Sequence, residues 1–426
     1  MKILWVSNII FPEAAAQMGL KPTALGGWML AMAAELVRTD HRLAVAALYD
    51  GPDMKKLETG GVTHYLLPGF ARRTSYDSRL GPWWCKVLAD FKPDIIHIHG
   101  TEYAHALPLL EVNRGIPAVV SIQGLMSRYA DEYYGGLTPG KVLRWRTLRD
   151  IVRGAGMAEG RRQFMRQAAN ERLMLRAVEH VIGRTQWDRA NTLAINPRLI
   201  YHVCGETLRE PFYRTNWTLV GCMRHTIFMS QATYPIKGLH IILKAMAVLK
   251  REFPDVRLRV AGRDIADATS VTKHLKRTGY GAMISHMIRI YGLEGRVEFT
   301  GMLDAAAMAG AMAGAHVFVL ASAIENSPNS LGEAQLVGTP CVASYVGGVP
   351  DMVTDGESGL LYNYFEPAVL ALRVRRIFND DALALRLSEG GRAAARARHS
   401  PQHNLESLLD IYRAVSSGGG AAVGEG

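Results

Sequence analysis

Two acidic residues, Glu325 and Glu333, are separated by seven residues and flank a turn that leads into a helix predicted over about Asn329–Leu336. The first N–H groups of a helix lack intrahelical partners and carry the positive end of its dipole, so this turn can bind a diphosphate. Each carboxylate can accept hydrogen bonds from sugar hydroxyls. The pattern favours one acid on a transferred sugar and the other on a ribose. The spacing alone equally fits a helix capped by Asn326 or Ser327 with Glu333 merely solvated.

The sequence around these acids resembles the E-x7-E region of the retaining glycosyltransferases of family four. The likeness continues through residues 334–344, 346–351 and 355–361, follows the layout of nearly the whole chain, and is most specific over 237–361. The resemblance implies an α/β fold of the GT-B type, with two Rossmann-like doubly wound domains facing a central cleft. It also implies a hexosyltransferase that takes a UDP-sugar or GDP-sugar as donor and needs neither a cofactor nor a metal ion.

The same resemblance implies roles for individual residues. Glu325 would contact hydroxyls of the donor sugar, and Glu333 would bind the ribose of the nucleotide. The backbone amides of Asn329, Ser330 and Leu331 would hold the phosphates and the sugar.

Lys237 matches the phosphate-binding lysine of the family, and with Glu325 it is the candidate catalytic pair. A lysine that opens a helix after a strand is otherwise unremarkable. Helix N-termini disfavour cations, however, so an anion is expected beside it. Where the family has an arginine that shares the diphosphate, this chain has Gln231, which donates hydrogen bonds without a charge. Arg263, after a predicted strand, is the candidate replacement for that cation.

Small and polar residues follow the predicted strands of the first half. Gly26 and Gly27 precede a helix and match the glycine loop of the family, which lets backbone approach a donor phosphate or an acceptor. His99 and Glu102 end a strand at the edge where open α/β sheets bind ligands. Gln123 stands where the family usually has a histidine near the transferred sugar. We expect these last three residues on the acceptor side.

No nucleophile is indicated on the donor face, because the resemblance places Glu325 at the sugar hydroxyls rather than at the anomeric carbon. We therefore expect front-face substitution. The departing nucleotide diphosphate would accept the proton of the acceptor hydroxyl while that oxygen attacks the same face. The acceptor is expected to be a saccharide or a lipid-linked glycan, in the biosynthesis of a surface polysaccharide.

Two series of alternating strands and helices predict two parallel-sheet domains, which suits 426 residues. The first series predicts strands over Lys2–Asn8, Arg42–Leu48, Asp94–His99, Ala118–Ile122 and, as the last of this half, Val178–Ile182. The second predicts strands over Thr226–Met229, Val256–Val260, Val297–Phe299, Val317–Leu320 and Pro340–Ala343. We assign 1–205 to the acceptor-side domain, 206–400 to the donor-binding domain, 401–417 to a helix that packs back on the first domain, and 418–426 to a disordered tail.

Composition indicates a cytoplasmic protein with substantial cores. Hydrophobic residues make up 48% of the chain and charged residues 21%, with no signal peptide or long apolar span evident. The four cysteines lie far apart without a CxxC pair, which fits a reducing compartment. His97 and His99 share one face of a strand, but only Glu102 is near as a third metal ligand, and the resemblance favours a structural role for them.

The net charge of +10 suits anionic partners, and it concentrates in one segment. Residues 141–176 carry ten lysines and arginines against three acids, interleaved with apolar residues such as Leu143, Leu148 and Ile151. One interpretation is a solvated helical face. The other is a basic amphipathic surface, Lys141–Arg176, that meets anionic lipid at the inner face of the membrane or a phosphorylated acceptor. No nucleic-acid-binding module is recognised, so nucleic acid is not an expected partner.

Other functions share this architecture. A catalytically silent scaffold in a glycan-synthesis complex would fit the replacements at Gln231 and Gln123, and a sugar-nucleotide epimerase would fit the two domains. A phosphorylase would need a lysine-bound cofactor and a longer chain. The intact Glu325, Glu333 and Lys237 favour an active transferase.

Overall fold

A computed structural model describes residues 1–21, 26–70, 73–267, 270 and 275–417. The tail predicted at 418–426 lies outside the described residues. The strands, in chain order, are β1 Lys2–Ser7, β2 Arg42–Tyr49, β3 Lys55–Thr59, β4 Val62–Pro68, β5 Ile95–His99, β6 Ala118–Ser121, β7 His180–Gly183, β8 Ile200–Val203, β9 Met223–Met229, β10 Arg257–Val260, β11 Val297–Phe299, β12 Ala315–Leu320, β13 Cys341–Ser344 and β14 Leu360–Tyr362.

Helices connect most of these strands. In chain order they are α1 Pro12–Gln17, α2 Gly27–Val37, α3 Gly81–Phe91, α4 Leu107–Val112, α5 Met126–Asp131, α6 Pro139–Arg144, α7 Leu148–Arg153, α8 Met157–Ala177, α9 Gln186–Ile195, α10 Glu210–Arg214, α11 Leu239–Leu249, α12 Gly279–Ile290, α13 Ala305–Ala313, α14 Asn329–Val337, α15 Pro367–Asn379, α16 Asp381–Arg398 and α17 Pro401–Ser416. Short 3₁₀ turns occur at Ser78–Leu80, Ala104–Ala106, Pro235–Lys237 and Val349–Asp351.

The chain forms two compact units, as the two series of strands predict. Among the described residues, unit 1 contains those of Met1–Ser127, those of Met165–Leu208 and those from His399 to Ser417, and unit 2 contains those of Arg128–Phe164 and Arg209–Arg398. The assignment of all of 1–205 to one domain is therefore wrong for Arg128–Phe164. That segment is bonded to unit 2, where Asp150 Oδ2 accepts the N–H of Gly279 at 2.8 Å.

Unit 1 is built on a sheet with the strand order β3-β4-β2-β1-β5-β6-β7-β8, parallel except for β3 against β4. Both faces of β1 are buried, because Leu4 belongs to one hydrophobic cluster and Trp5 to another. Continuous apolar strands of this kind are typical of parallel sheets covered on both faces. The order reverses between β1 and β5, and the crevice outside the carboxyl ends of two such strands is where open α/β sheets bind ligands.

Two features of this sheet differ from the predicted strands. The hairpin of β3 and β4 was not predicted, although its turn contains Gly60 and Gly61, both with positive φ. β3 is an exposed, lysine-bearing edge strand, so it lacks an apolar signal. The strand near 178–182 is not the last of this half, because β8 follows it and pairs with β7.

The C-terminal helix α17 belongs to unit 1 and packs on its sheet. The Tyr412 hydroxyl accepts the indole N–H of Trp5 at 2.9 Å, and Leu408 and Ile411 join the same hydrophobic cluster as Trp5. The first unit therefore completes its core with residues from the far end of the chain.

Unit 2 is built on a parallel sheet with the order β11-β10-β9-β12-β13-β14. Its order reverses between β9 and β12, so the predicted ligand crevice lies outside the carboxyl ends of these two strands. The loop after β9 leads to Lys237, and the loop after β12 leads to Glu325. Topology alone thus brings the two candidate catalytic residues to one edge of one sheet.

Candidate active site

Lys237 and Glu325 form an ion pair at the switch point of unit 2. Lys237 Nζ lies 2.5 Å from Glu325 Oε1, and the two side chains are 17% and 7% exposed. Ser322 Oγ donates to the same carboxylate oxygen at 2.7 Å. The anion that lies beside the lysine is therefore a carboxylate of the chain itself.

The ion pair with Glu325 stabilises the charged form of Lys237. Burial alone would lower the pKa of Lys237, but the Glu325 carboxylate and the neighbouring hydroxyls of Tyr234 and Tyr129 outweigh burial and raise it. The lysine is therefore a fixed cation at every working pH. An anionic ligand that enters this crevice would meet a full positive charge in a place with little water, where electrostatic attraction is strong.

Backbone contacts hold the two loops together. Ala323 N–H donates to Ile236 O at 2.7 Å, which ties the loop of Glu325 to the turn of Lys237. Gly238 has φ 72°, and a Cβ atom there would lie 1.7 Å from Ala321 O, so only glycine allows this approach.

The second acid, Glu333, lies inside α14 and is 6% exposed. Arg209 donates to its Oε1 from Nε at 3.0 Å and from Nη2 at 2.8 Å. Burial raises the pKa of Glu333, and the guanidinium of Arg209 offsets part of that rise. The carboxylate predicted for a ribose is thus already paired with a cation.

The N-cap residue of α14 is Pro328, which makes no side-chain cap hydrogen bond. The N-cap residue is therefore neither Asn326 nor Ser327, and Ser327 Oγ lies 3.6 Å from the sulfur of Met352. Of the predicted phosphate-binding residues, Asn329 and Ser330 form the first turn. The backbone N–H of the third predicted residue, Leu331, already donates to Pro328 O at 2.9 Å.

In unit 1, the predicted acceptor-side residues share one cavity of about 480 Å³ with a predicted donor-side glycine. Its lining includes Gly26, His99, Glu102 and Gln123. Gly26 precedes α2 with φ 76°, a conformation that favours glycine. The cavity follows β1 and β5, at the switch point of this sheet.

Three polar atoms of this cavity have no hydrogen-bond partner within the described residues. Both ring nitrogens of His99 and the Oε2 atom of Glu102 are buried without a hydrogen bond. The other oxygen of Glu102 accepts from the side-chain amide of Asn8 at 2.5 Å. Burial lowers the pKa of His99 and raises that of Glu102, so the histidine is neutral. Buried polar groups without partners are uncommon and suit a ligand with hydroxyl groups.

His97 is structural rather than a ligand of a metal. Its Nδ1 lies 2.6 Å from the hydroxyl of Tyr412 and its Nε2 lies 2.6 Å from Ser121 Oγ. Both ring nitrogens are thus used inside the core. In the part of the chain that the structure describes, no three His, Cys, Asp or Glu side chains come together as a metal site requires.

Comparison with known families accounts for both units. The model of the glycosyl transferases group 1 matches residues 223–394, and that of the glycosyl transferase 4-like domain matches residues 28–199. Together the two matches cover about four-fifths of the chain. This chain belongs to the group 1 glycosyltransferases. The resemblance drawn from the E-x7-E region is confirmed.

Curated relatives of this group 1 glycosyltransferase match only part of its length. A D-inositol 3-phosphate glycosyltransferase of Nocardioides sp. is 30% identical over 182 residues, which is 42% of this chain and 39% of the relative. A phosphatidyl-myo-inositol mannosyltransferase of Mycobacterium leprae is 27% identical over 194 residues, 45% of this chain and 47% of the relative. The matched part thus spans less than half of these relatives.

Solved structures confirm the two-domain GT-B fold. Sucrose-phosphate synthase from Thermosynechococcus elongatus aligns with a TM-score of 0.66 and 16% identity, over 98% of this chain and 100% of that one. The Anabaena protein HepE, in complex with UDP and glucose, aligns with a TM-score of 0.66 and 17% identity, over 97% of this chain and 100% of that one. At these identities the likeness concerns the fold alone.

Two of the predicted donor-side residues of this glycosyltransferase lie apart from the charged pair. Gln231 is exposed, and its amide donates to Thr233 Oγ1 at 3.4 Å. Arg263 is exposed after β10. Within the described residues, neither bonds to Lys237 or Glu325, so their place in donor binding stays a prediction.

Sequence reasoning missed two residues at the site. Arg209 pairs with Glu333, and the Tyr129 hydroxyl accepts the backbone N–H of Asn326, next to Glu325, at 3.2 Å. Both lie far from the E-x7-E region in sequence. The sequence offered one signal for Arg209, which is that it lies near the predicted domain boundary. No signal pointed to Tyr129.

No helix of the described residues is both long and apolar enough to cross a membrane. The basic segment predicted as one helical face forms three helices, α6, α7 and α8.

Proposed function

We propose that this chain transfers a hexosyl unit from a UDP-sugar or GDP-sugar to a saccharide or lipid-linked glycan, with retention of configuration and without a metal ion. The Lys237–Glu325 pair at the switch point of unit 2 is the observation that carries the proposal. A buried cation and a buried carboxylate in contact give one group for a diphosphate and one for sugar hydroxyls.

Donor binding would exchange partners at this pair. A nucleotide diphosphate carries more negative charge than one carboxylate, so it would draw Lys237 away from Glu325. The released carboxylate could then accept hydrogen bonds from the sugar hydroxyls, as the resemblance implies. At Glu333, Arg209 would yield to a ribose or share the carboxylate with it.

The chemistry we propose is front-face substitution. Lys237 and the positive end of α14 at Asn329 and Ser330 would stabilise the charge of the leaving diphosphate. The diphosphate oxygen would take the proton of the acceptor hydroxyl while that oxygen bonds to the anomeric carbon, so atoms and charge balance without an enzymic nucleophile. An assay of product stereochemistry checks this step, since an inverted anomer contradicts it.

The acceptor would use the cavity of unit 1. The unpartnered His99 and the free oxygen of Glu102 can bond to hydroxyl groups, and Gln123 offers both an amide donor and a carbonyl acceptor. These groups suit a saccharide and fit the proposed role in surface polysaccharide biosynthesis.

An anionic membrane surface would fit the segment that contains α6 and α7. Leu148, Ile151 and Val152 are 72%, 55% and 77% exposed, and Arg144 and Arg153 are exposed beside them. On the inner side, Asp150 is 1% exposed and bonds to Gly279, which fixes the orientation of α7. Exposed apolar side chains among arginines are typical of surfaces that bind anionic lipid.

A thermal-shift screen over UDP-sugars, GDP-sugars and free diphosphates tests the proposed function. A ligand present at 100 times its dissociation constant would add about 2.7 kcal/mol of stability. We expect such a shift for one nucleotide class, and we expect Lys237→Ala to reduce it. An absence of any shift, or an equal shift in the variant, would contradict the donor site. Binding without transfer to any glycan acceptor would point to the scaffold alternative.

A further inference from the structure

A second cavity, of about 690 Å³, opens in unit 2 beside the loop that carries Glu325. Its wall includes Ala323 and Ile324, the two residues before Glu325, together with Gly347. The next residue, Gly348, donates its N–H to Glu325 O at 3.1 Å. A cavity of this size lies in the range of small-molecule binding sites. It shares a wall with the proposed donor loop, but Lys237, Glu325 and Glu333 are not among its lining residues.

Two aromatic side chains are exposed where this cavity meets solvent. Tyr345 is 63% exposed and Phe365 is 66% exposed, and both line the cavity. The adjacent Tyr364 is held in place because its hydroxyl donates to Gly135 O at 2.8 Å. Aromatic rings offer large flat apolar faces, and the C–H faces of pyranose rings are apolar surfaces of similar size.

A buried hydroxyl of the same cavity lacks a partner. Tyr362 is 2% exposed, lines the cavity, and its hydroxyl has no hydrogen bond among the described residues. Burial raises the pKa of this phenol, so the hydroxyl keeps its proton and can both donate and accept. A buried polar group of this kind is costly unless a ligand or water completes its bonding.

The charges of the cavity select against an anionic ligand. Glu132 and Asp355 supply two carboxylates, and Arg373 supplies one cation. That cation is already engaged, since it lies 3.3 Å from Asp355 Oδ2 and donates to Leu361 O at 3.0 Å. A phosphate or nucleotide would therefore face net negative charge. The carboxylates remain good acceptors for neutral hydroxyl groups.

We propose that this cavity is a binding site for a neutral saccharide, separate from the donor site and from the acceptor cavity of unit 1. The rings of Tyr345 and Phe365 would pack on its sugar faces, and the Tyr362 hydroxyl would bond to one of its hydroxyls. The occupant would be sugar units of a glycan that do not themselves react. This binding does not depend on transferase activity. The experiment below therefore tests it independently of the proposed function.

Saturation-transfer NMR and calorimetry on the full chain test the site, with UDP and GDP at saturating concentrations to fill the donor site. The probes are maltotetraose, cellotetraose, chitotetraose and an α-linked mannotetraose. We expect at least one probe to bind. The double variant Tyr345→Ala/Phe365→Ala should weaken its affinity at least tenfold, and Tyr362→Phe should weaken it several-fold. Both changes leave the sheet intact, which the melting temperature checks.

Two matched variants locate the binding. Tyr76→Ala removes an exposed aromatic ring of unit 1, where Tyr76 is 47% exposed, and should leave the affinity unchanged. Gln123→Ala alters the acceptor cavity of unit 1 and should also leave it unchanged. Failure of all four probes to bind would overturn the proposal. So would an affinity that survives Tyr345→Ala/Phe365→Ala, or one that is lost with Gln123→Ala instead.

Discussion

Arg209 donates from two nitrogens, Nε and Nη2, to the single oxygen Oε1 of Glu333. The acid belongs to the E-x7-E region, whereas the arginine lies 124 residues earlier, at the point where the chain returns to unit 2. Arg209 thus neutralises the charge of the Glu333 carboxylate, which we propose as the ribose-binding group. This pairing also explains how a carboxylate with little exposure can stay charged.

Removal of this partner should destabilise the protein in a pH-dependent manner. Arg209→Ala leaves Glu333 buried without a cation, and its pKa, already raised by burial, should rise further. The charged form of Glu333 is then unfavourable in the folded variant. The variant therefore loses the most stability above the raised pKa of Glu333. The loss becomes smaller at lower pH, where Glu333 is protonated. We expect a loss of about 2 kcal/mol at pH 8 and less at pH 5, measured by urea unfolding.

Arg214→Ala is the matched control, since Arg214 pairs with Glu210 on the surface, with side chains 80% and 63% exposed. Exposed pairs contribute about 0.5 kcal/mol or less, at either pH. Equal losses in Arg209→Ala at pH 5 and pH 8 would contradict a role in keeping Glu333 charged.

The Lys237–Glu325 pair should separate binding from transfer. Lys237→Ala removes the fixed cation, so we expect it to weaken the affinity for UDP or GDP at least tenfold. Glu325→Gln keeps the size and one oxygen but loses the charge, so it should retain nucleotide binding and lower kcat about 100-fold or more. Calorimetry with the nucleotide and a transfer assay measure the two effects. Normal turnover in Glu325→Gln would remove this residue from the proposed machinery.

The fold could be predicted from the sequence where apolar runs are long. β1, β2 and β12 are buried apart from Lys2 and Arg42 at the starts of the first two, and each was predicted within a residue or two. β3 and β8 were missed because a half-exposed edge strand carries no continuous apolar signal. Exposure therefore accounts for the two missed edge strands but not for β4, which was also missed although it is buried and lies between β3 and β2.

The site could be predicted only as far as local motifs reach. The spacing of Glu325 and Glu333 and the match at Lys237 follow from residues close in sequence, and topology then brings them together. The partners Arg209 and Tyr129 come from distant segments, and no periodicity links them to the motif. The segment 128–164 was assigned to the wrong unit because its contacts with unit 2 leave no pattern in the sequence. Examples are the hydrogen bond of Asp150 to Gly279 and the packing of Trp145 against His286.

Tyr129 should act as a positioning residue for the loop of Glu325. Its hydroxyl accepts the N–H of Asn326, so Tyr129→Phe removes that acceptor while keeping the ring. We expect a loss of about 1 kcal/mol in stability and a fall in kcat of about tenfold, with little change in the KM for the donor. Tyr134→Phe, a nearby tyrosine whose ring faces Arg161, is the control and should change neither constant. A rise in the donor KM at constant kcat would show that Tyr129 serves binding instead.

The segment that contains α6 and α7 should bind anionic vesicles. Leu148→Ser/Ile151→Ser/Val152→Ser removes the exposed apolar side chains without touching the buried Asp150, so the segment should keep its fold. We expect at least a tenfold loss of binding to vesicles with 30% phosphatidylserine, measured by co-sedimentation. Leu372→Ser, at a residue of α15 that is 50% exposed, is the control. Equal binding of the wild type to neutral and anionic vesicles would contradict the electrostatic part of this prediction.

The buried His97 of unit 1 should make the protein less stable in mild acid. Burial lowers the pKa of His97 to about 3, and both ring nitrogens are used, toward Tyr412 and Ser121. In the unfolded chain the pKa of His97 is about 6.5. Below that pH the unfolded state binds a proton that the folded state does not bind, so the folded state becomes less stable. The loss is about 1.4 kcal/mol for each pH unit between 6.5 and 3, or about 2 kcal/mol at pH 5.

Urea unfolding of the wild type and His97→Gln at pH 7.5 and pH 5 isolates this contribution. The variant should be less stable at pH 7.5, because glutamine cannot bridge Tyr412 and Ser121 in the same geometry, but its further loss at pH 5 should be smaller than that of the wild type. The other buried histidines remain in both proteins, so the difference between the two slopes reports His97 together with its effect on the neighbouring His99, whose pKa His97 also lowers. His403→Gln, at an exposed position of α17, should reproduce the wild-type slope. Identical slopes in His97→Gln and the wild type would show that the core accommodates a charged His97, against the hydrogen-bonded neutral ring described above.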